Sequence, residues 1–150
     1  MAQYHTLLVA VDFSSTSTKA LARAQALADT FNATLHVLHV TELPSYPVLE
    51  DVAITGVAGA WVDELADKAV AAAEKRLNQL VADAGIAAES IKVVTGVPRR
   101  IIVEQAKACH ADLIVVGRRG LSGLQRLLGS TADSVLHDAS CDVLAVSLDD

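Results

Sequence analysis

Short apolar runs alternate along the chain with longer stretches in which apolar residues recur at helical spacing. Thr6 to Val11 (TLLVAV) is a continuous branched run, the mark of a strand buried on both faces. The hydroxyls from Ser14 to Thr18 suit a helix cap, and Ala20, Leu21, Ala24, Leu27, Ala28 and Phe31 follow as that helix's inner face. Asn32 closes the helix, and Thr34 to Val40 (TLHVLHV) predicts a second strand. From Thr41 to about Gly59 the chain carries Pro44, Pro47, Gly56 and Gly59 with no firm period; connections of that length are usually functional or mobile. An Ala- and Leu-rich helix is predicted from Trp61 to Asp83, ended by Gly85. Ser90 to Thr95 reads as a third strand, and Pro98 opens a helix through Ile101, Ile102, Val103 and Ala106 to Cys109. Asp112 to Val116 (DLIVV) is a fourth strand. After it come a glycine-spaced loop, a helix near Thr131 to His137, and a fifth strand from Asp142 to Leu148.

Strands that alternate with helices predict an α/β fold, a parallel sheet covered by helices on both faces. In such folds the ligand crevice lies beyond the carboxyl ends of the strands, where the strand order reverses. Those ends are Asp12, Val40 with Thr41, Gly96 and Gly117. No internal repeat or low-complexity segment interrupts the pattern, and residues 1–150 are expected to form one domain.

Composition narrows the class. With 150 residues, 52% apolar and 20% charged, the chain can bury a sizeable core and is neither disordered nor collagen-like. No uncharged apolar stretch reaches the roughly 18 residues of a spanning helix, so no membrane role is expected. The first residues, MAQYHTLLVAVDFSS, lack a basic leader and a cleavage site, and read as a first strand. Two cysteines, Cys109 and Cys141, are too few for a disulfide scaffold, which makes a cytoplasmic location the expectation. A net charge of −6 and only five aromatics argue against nucleic acid as a partner. The charge is uneven, however. Residues 96–131 hold Arg99, Arg100, Lys107, Arg118, Arg119 and Arg126 against Glu104 and Asp112, a local balance of +4, while the remainder of the chain stands at −10. An anionic ligand is therefore to be sought in that island.

Within it, Gly117 to Thr131 (GRRGLSGLQRLLGST) carries the chemistry. Glycines after a buried strand let backbone N–H groups approach a phosphate, and a helix start at Ser130 and Thr131 adds orphan donors, hydroxyls and a positive dipole end. Arg118, Arg119 and Arg126 could add charge. The string is no Walker A loop, since G-x-x-x-x-G-K-[ST] occurs nowhere. It is no dinucleotide fingerprint either. Its G-x-x-G-x-x-G spacing follows the fourth strand, and the first turn, Asp12-Phe13-Ser14-Ser15, has no glycine.

The V-A-V-D-x-S start, the L-H-V second strand, the V-x-G-x-x-G-L-x-G-L loop and the G-S-T helix start with a C-D-V-L-A-V ending occur in that order over the whole chain. Together they resemble the universal stress protein family, in its small single-domain bacterial form. The resemblance implies a Rossmann-like, adenine nucleotide alpha hydrolase-like fold with a five-stranded parallel sheet in the order 3-2-1-4-5. It also implies a homodimer joined through the last strand, about Val143 to Ser147, and in many members bound ATP or a related adenine nucleotide. Carried over by position, Ala10, Val11 and Asp12 would line the adenosine side and Val40 would meet the base through its backbone. Gly117, Arg118, Gly120, Gly129, Ser130 and Thr131 would surround the ribose and phosphates, with Mg²⁺ brought in on the phosphates and Asp12 as a weak ligand for it. One departure stands out. Eight residues (Leu121 to Leu128) separate Gly120 from Gly129, where the ATP-binding pattern has nine. One residue of a helical segment turns direction by about 100°, so either Gly123 absorbs the difference or the phosphate cradle is altered.

Plainer readings stand beside these. Ser130 and Asp133 have capping-box spacing, and Asp12 could cap the helix that begins near Ser14. Cys109-His110 and His137-x3-Cys141 lack the tight paired spacing of structural zinc, so no metal centre is expected. His36 and His39, three apart on a strand, face opposite sides and read as packed or edge histidines. No G-x-S-x-G elbow, H-E-x-x-H motif or activated nucleophile is present, which leaves slow ATP hydrolysis as the most catalysis expected. The sequence therefore predicts a cytoplasmic, dimeric, adenine-nucleotide-binding sensor or regulator that answers to a protein partner. The alternative is a nucleotide-free dimeric interaction module of the same family.

Overall fold

Branched, apolar residues dominate the segments that form the sheet, and Ala-rich amphipathic stretches form the helices around it. The computed structural model describes residues 3–42, 58–118 and 130–147. The elements run β1 (Thr6–Ala10), α1 (Ser15–Phe31), β2 (Thr34–Thr41), α2 (Ala58–Asp83), β3 (Ser90–Thr95), α3 (Pro98–Ala108), β4 (Leu113–Gly117), α4 (Ser130–Asp138) and β5 (Asp142–Val146). All strand pairs are parallel, and the sheet order is β3-β2-β1-β4-β5, as expected from the resemblance. β1 is the central strand: Leu7 stands in register with Leu35 on one side and with Leu113 on the other.

Strand alternation divides the interior into two cores. Leu7, Val9, Leu35, Val37, Leu113 and Val115 pack on one face beneath α1 and α2. Leu8, Leu38, Ile114 and Val116 pack on the other with Ile102 and Ala106 of α3 and Val135 of α4. Full burial of each Leu, Ile or Val contributes roughly 1.5–3 kcal/mol, which is why β1 and β4 are apolar at consecutive positions.

Local signals set the helix limits. The Ser14 side chain accepts the Ser17 N–H at 3.2 Å as the N-cap of α1. Asn32, left-handed at φ 53°, ends that helix by donating to the carbonyls of Ala28 and Asp29. Pro98 opens α3. α2 begins at Ala58, ahead of the predicted Trp61, and Ala73, Leu77 and Val81 in its second half are buried. β4 starts at Leu113 because Asp112 turns aside, its carboxylate accepting the N–H groups of His5 and Thr6 at 2.8 and 3.1 Å. β5 ends at Val146, short of the predicted Leu148, which lies outside the described residues.

Candidate functional site

β1 leads to β2 on one side and lies against β4 on the other, so the strand order reverses between β1 and β4. The carboxyl ends of these strands bring several of the expected residues to one edge of the sheet. Ala10 ends β1 and is half-buried, Val11 is buried, and Asp12 is exposed. Val40 lies near the end of β2, Gly117 ends β4, and Arg118 follows it, exposed. Ser130 opens α4 and Thr131, half-buried, comes next. Gly120 and Gly129 lie outside the described residues.

The turn from β1 into α1 is tied down by hydrogen bonds. Val11 N–H donates to the Leu38 carbonyl at 2.9 Å, and the Val11 carbonyl meets Nδ1 of His39 at 2.6 Å. Asp12 N–H donates to Ser17 Oγ at 3.2 Å, and Asp12 Oδ1 accepts the Ser14 N–H at 3.0 Å. Ser14, not Asp12, is thus the residue that caps α1, while the Asp12 carboxylate shapes the approach to the cap. Phe13 has φ 66°, a left-handed conformation uncommon for a bulky residue. Its ring lies 4.3 Å from the His39 ring, and the Arg76 guanidinium of α2 stands 4.3 Å over its centroid. Phe13, Ser17, His39 and Arg76 are at this turn, although no sequence motif points to them as site residues. The hydroxyl cluster and the L-H-V strand were the only sequence signals, and neither names a tertiary partner.

Gly117 serves packing as well as the turn. A Cβ built on it would lie 2.9 Å from Thr16 Cγ2 and 3.2 Å from the Thr16 carbonyl carbon, so only glycine lets the start of α1 rest on the end of β4. Arg118 N–H continues the ladder by donating to the Val146 carbonyl at 2.8 Å. Asp133 stands exposed in the first turn of α4, where a carboxylate complements the helix dipole.

Comparison with known proteins fixes the family. The profile of the universal stress protein family matches residues 3–147. The chain belongs to the universal stress protein family. Universal stress protein A homolog 2 of Coxiella burnetii is 38% identical over 150 residues, covering 99% of this chain and 98% of that one. Among solved structures, the universal stress protein UspA of Lactobacillus plantarum is 30% identical with a TM-score of 0.69, covering 97% of this chain and 99% of its own. A universal stress protein crystallised in complex with cAMP is also 30% identical, with a TM-score of 0.63 and coverage of 97% and 98%.

In this universal stress protein the basic island is split. Arg99 and Arg100 sit in the first turn of α3, at the same sheet edge as Arg118, with Arg100 Nε paired to Glu104 at 3.0 Å. Lys107 is in the last turn of α3, at the opposite end, and lines a cavity of about 340 Å³ with His110 and Cys141. Lys107 therefore does not face the crevice, because the helical rise over α3 carries it to the other end of the sheet. Arg119 and Arg126 lie outside the described residues.

Cys109 and Cys141 are half-buried free thiols, both pushed up from their ordinary value chiefly by burial. His36 Nδ1 lies 2.6 Å from Ser90 Oγ, on the face of β2 opposite to His39, and burial holds its imidazole below the usual range. Among the described residues no group of three or more His, Cys, Asp and Glu is arranged to hold a metal ion. No described helix is long and apolar enough to cross a membrane.

Proposed function

We propose that this universal stress protein binds ATP or a related adenine nucleotide in the crevice beyond β1 and β4 and acts as a cytoplasmic, dimeric sensor or regulator. The observation that carries the reading is the gathering of Ala10, Asp12, Val40, Gly117, Arg118 and Thr131 at the one sheet edge where the strand order reverses. The starts of α1 and α4 lie at that edge, and helix N-termini favour phosphate. A 30%-identical universal stress protein in complex with cAMP supports adenine as the base. In this reading Ala10, Val11 and Val40 take the adenosine, and Gly117, Arg118, Gly120, Gly129, Ser130 and Thr131 take the ribose and phosphates. The exposed Asp12 carboxylate would meet a Mg²⁺ ion carried on the phosphates. Binding would favour one state of the protein, and differential affinity for that state is what a protein partner would read.

The dimer would form through β5. It is an edge strand of the sheet, and an unpaired edge is a template for a second copy.

A second reading, a nucleotide-free dimeric interaction module, is favoured by the eight-residue segment between Gly120 and Gly129. Calorimetric titration with Mg-ATP and with cAMP, alongside backbone amide spectra, separates the two. Heat, with shifts at the amides of Asp12 and Arg118, is expected. A silent titration with unmoved amides overturns nucleotide binding and leaves the interaction module. Phosphate release in the same samples reads any slow hydrolysis.

A further inference from the structure

We infer that His39 and Ser17 are positioning residues for the crevice, clamping the single peptide unit that joins Val11 to Asp12. The inference rests on the nucleotide reading above and adds to it the residues that fix the adenosine side. The Val11 carbonyl and the Asp12 N–H are the two polar ends of one planar group. The carbonyl is held by His39 Nδ1 at 2.6 Å and the N–H by Ser17 Oγ at 3.2 Å. A carbonyl cannot donate, so Nδ1 carries the proton and the His39 tautomer is set by this contact. Ser17 Oγ spends its own proton on the Ser14 carbonyl at 3.1 Å, which turns a lone pair toward Asp12 N–H. Ser17 is buried, so this hydroxyl is not shared with solvent.

Both clamps work from behind the crevice. Val11 belongs to the core beneath α1 and α2, and His39 faces that same side through its contact with Phe13. Ala10 and Val40 border the opposite core. Holding the peptide plane fixes the direction in which Asp12 leaves the sheet without occupying space a ligand would use. Phe13 completes the device. Its left-handed φ of 66° is a strained conformation that persists only where surroundings over-determine it, and here the ring lies against His39 with Arg76 above it. A turn held this way before binding has less order to gain when ligand arrives, which favours affinity.

The test compares His39→Leu, which keeps bulk and removes the donor, with His39→Asn, whose side-chain N–H can replace Nδ1–H. Each is titrated with Mg-ATP, with the Asp12 amide followed by hydrogen exchange and chemical shift. His39→Leu should weaken binding roughly tenfold, the scale of one lost hydrogen bond, and speed exchange at Asp12. His39→Asn should recover affinity to within about threefold of the parent, since an amide N–H donor returns near the Nδ1 position. Should His39→Leu fail to fold, Ser17→Ala reads the other end of the same peptide, with the same loss expected. Equal binding by His39→Leu and the parent overturns the inference, as does a loss in His39→Asn as deep as in His39→Leu. A parent that binds no nucleotide is a different result: it removes the nucleotide reading, and this inference with it.

Discussion

Gly117 and Thr16, far apart in sequence, meet so closely that a Cβ on the glycine would stand 2.9 Å from Thr16 Cγ2. Thr16 is itself buried to 2% exposure, so it has little room to withdraw. This contact seats the start of α1 on the end of β4, beside the crevice.

Gly117→Ala should therefore destabilise the fold by about 1–3 kcal/mol, the usual cost of overpacking a tight interior contact. Thr16→Ser removes Cγ2 and should recover part of that loss in the double variant. Urea unfolding of the four proteins gives the coupling energy, and additive effects would show that the two residues do not press on each other.

The α1 cap gives a second prediction. Ser14→Ala removes the oxygen that accepts the Ser17 N–H, and should lower stability by about 1 kcal/mol, whereas Ser14→Asp should keep most of it. Thermal melts at one protein concentration read the difference.

His36 makes stability depend on pH. Burial lowers its pKa in the folded protein, with Lys92 adding to the effect and Glu89 opposing it. The unfolded chain then binds the proton more readily than the folded one. The contribution is intact above the unfolded value of about 6.5 and is lost as pH falls from there through the lowered folded value. His36→Gln should flatten this part of the profile. Denaturant midpoints between neutral and mildly acidic pH, with the His36 ring followed by NMR, check both the window and its sign.

Arg76 is exposed on α2, and its guanidinium stands 4.3 Å over the centroid of the Phe13 ring. Arg76→Ala should cost about 0.5–1 kcal/mol of stability, as for a cation–π contact at an exposed site, while Arg76→Lys should cost less. Chemical denaturation of the two variants measures this.

Much of the fold was legible because consecutive apolar residues in TLLVAV and DLIVV can only be satisfied between two cores, and because Asn32 and Pro98 punctuate the chain as isolated peptides would. The strand order came from the resemblance, and the structure agrees with it. What escaped was tertiary. Nothing in the sequence announces a left-handed Phe13, since that conformation is normally marked by Gly, Asn or Asp. The sequence presents Gly117 as open space for a ligand, while in the fold Thr16 fills that space. His39 has a backbone partner, the Val11 carbonyl just past the end of β1, and such a partner has no side-chain signature in the sequence. Lys107 is close to Arg99 and Arg100 in sequence, yet the length of α3 separates them.

The central strand is also the first to be made. Leu7 waits for Leu113 and Leu8 for Ile114 before both flanks of β1 are filled. On a ribosome, the opening third of the polypeptide must therefore persist with a half-finished hydrogen-bond ladder until translation has passed β4. A stalled or truncated nascent chain would display that bare flank, an unpaired strand edge open to association with other chains.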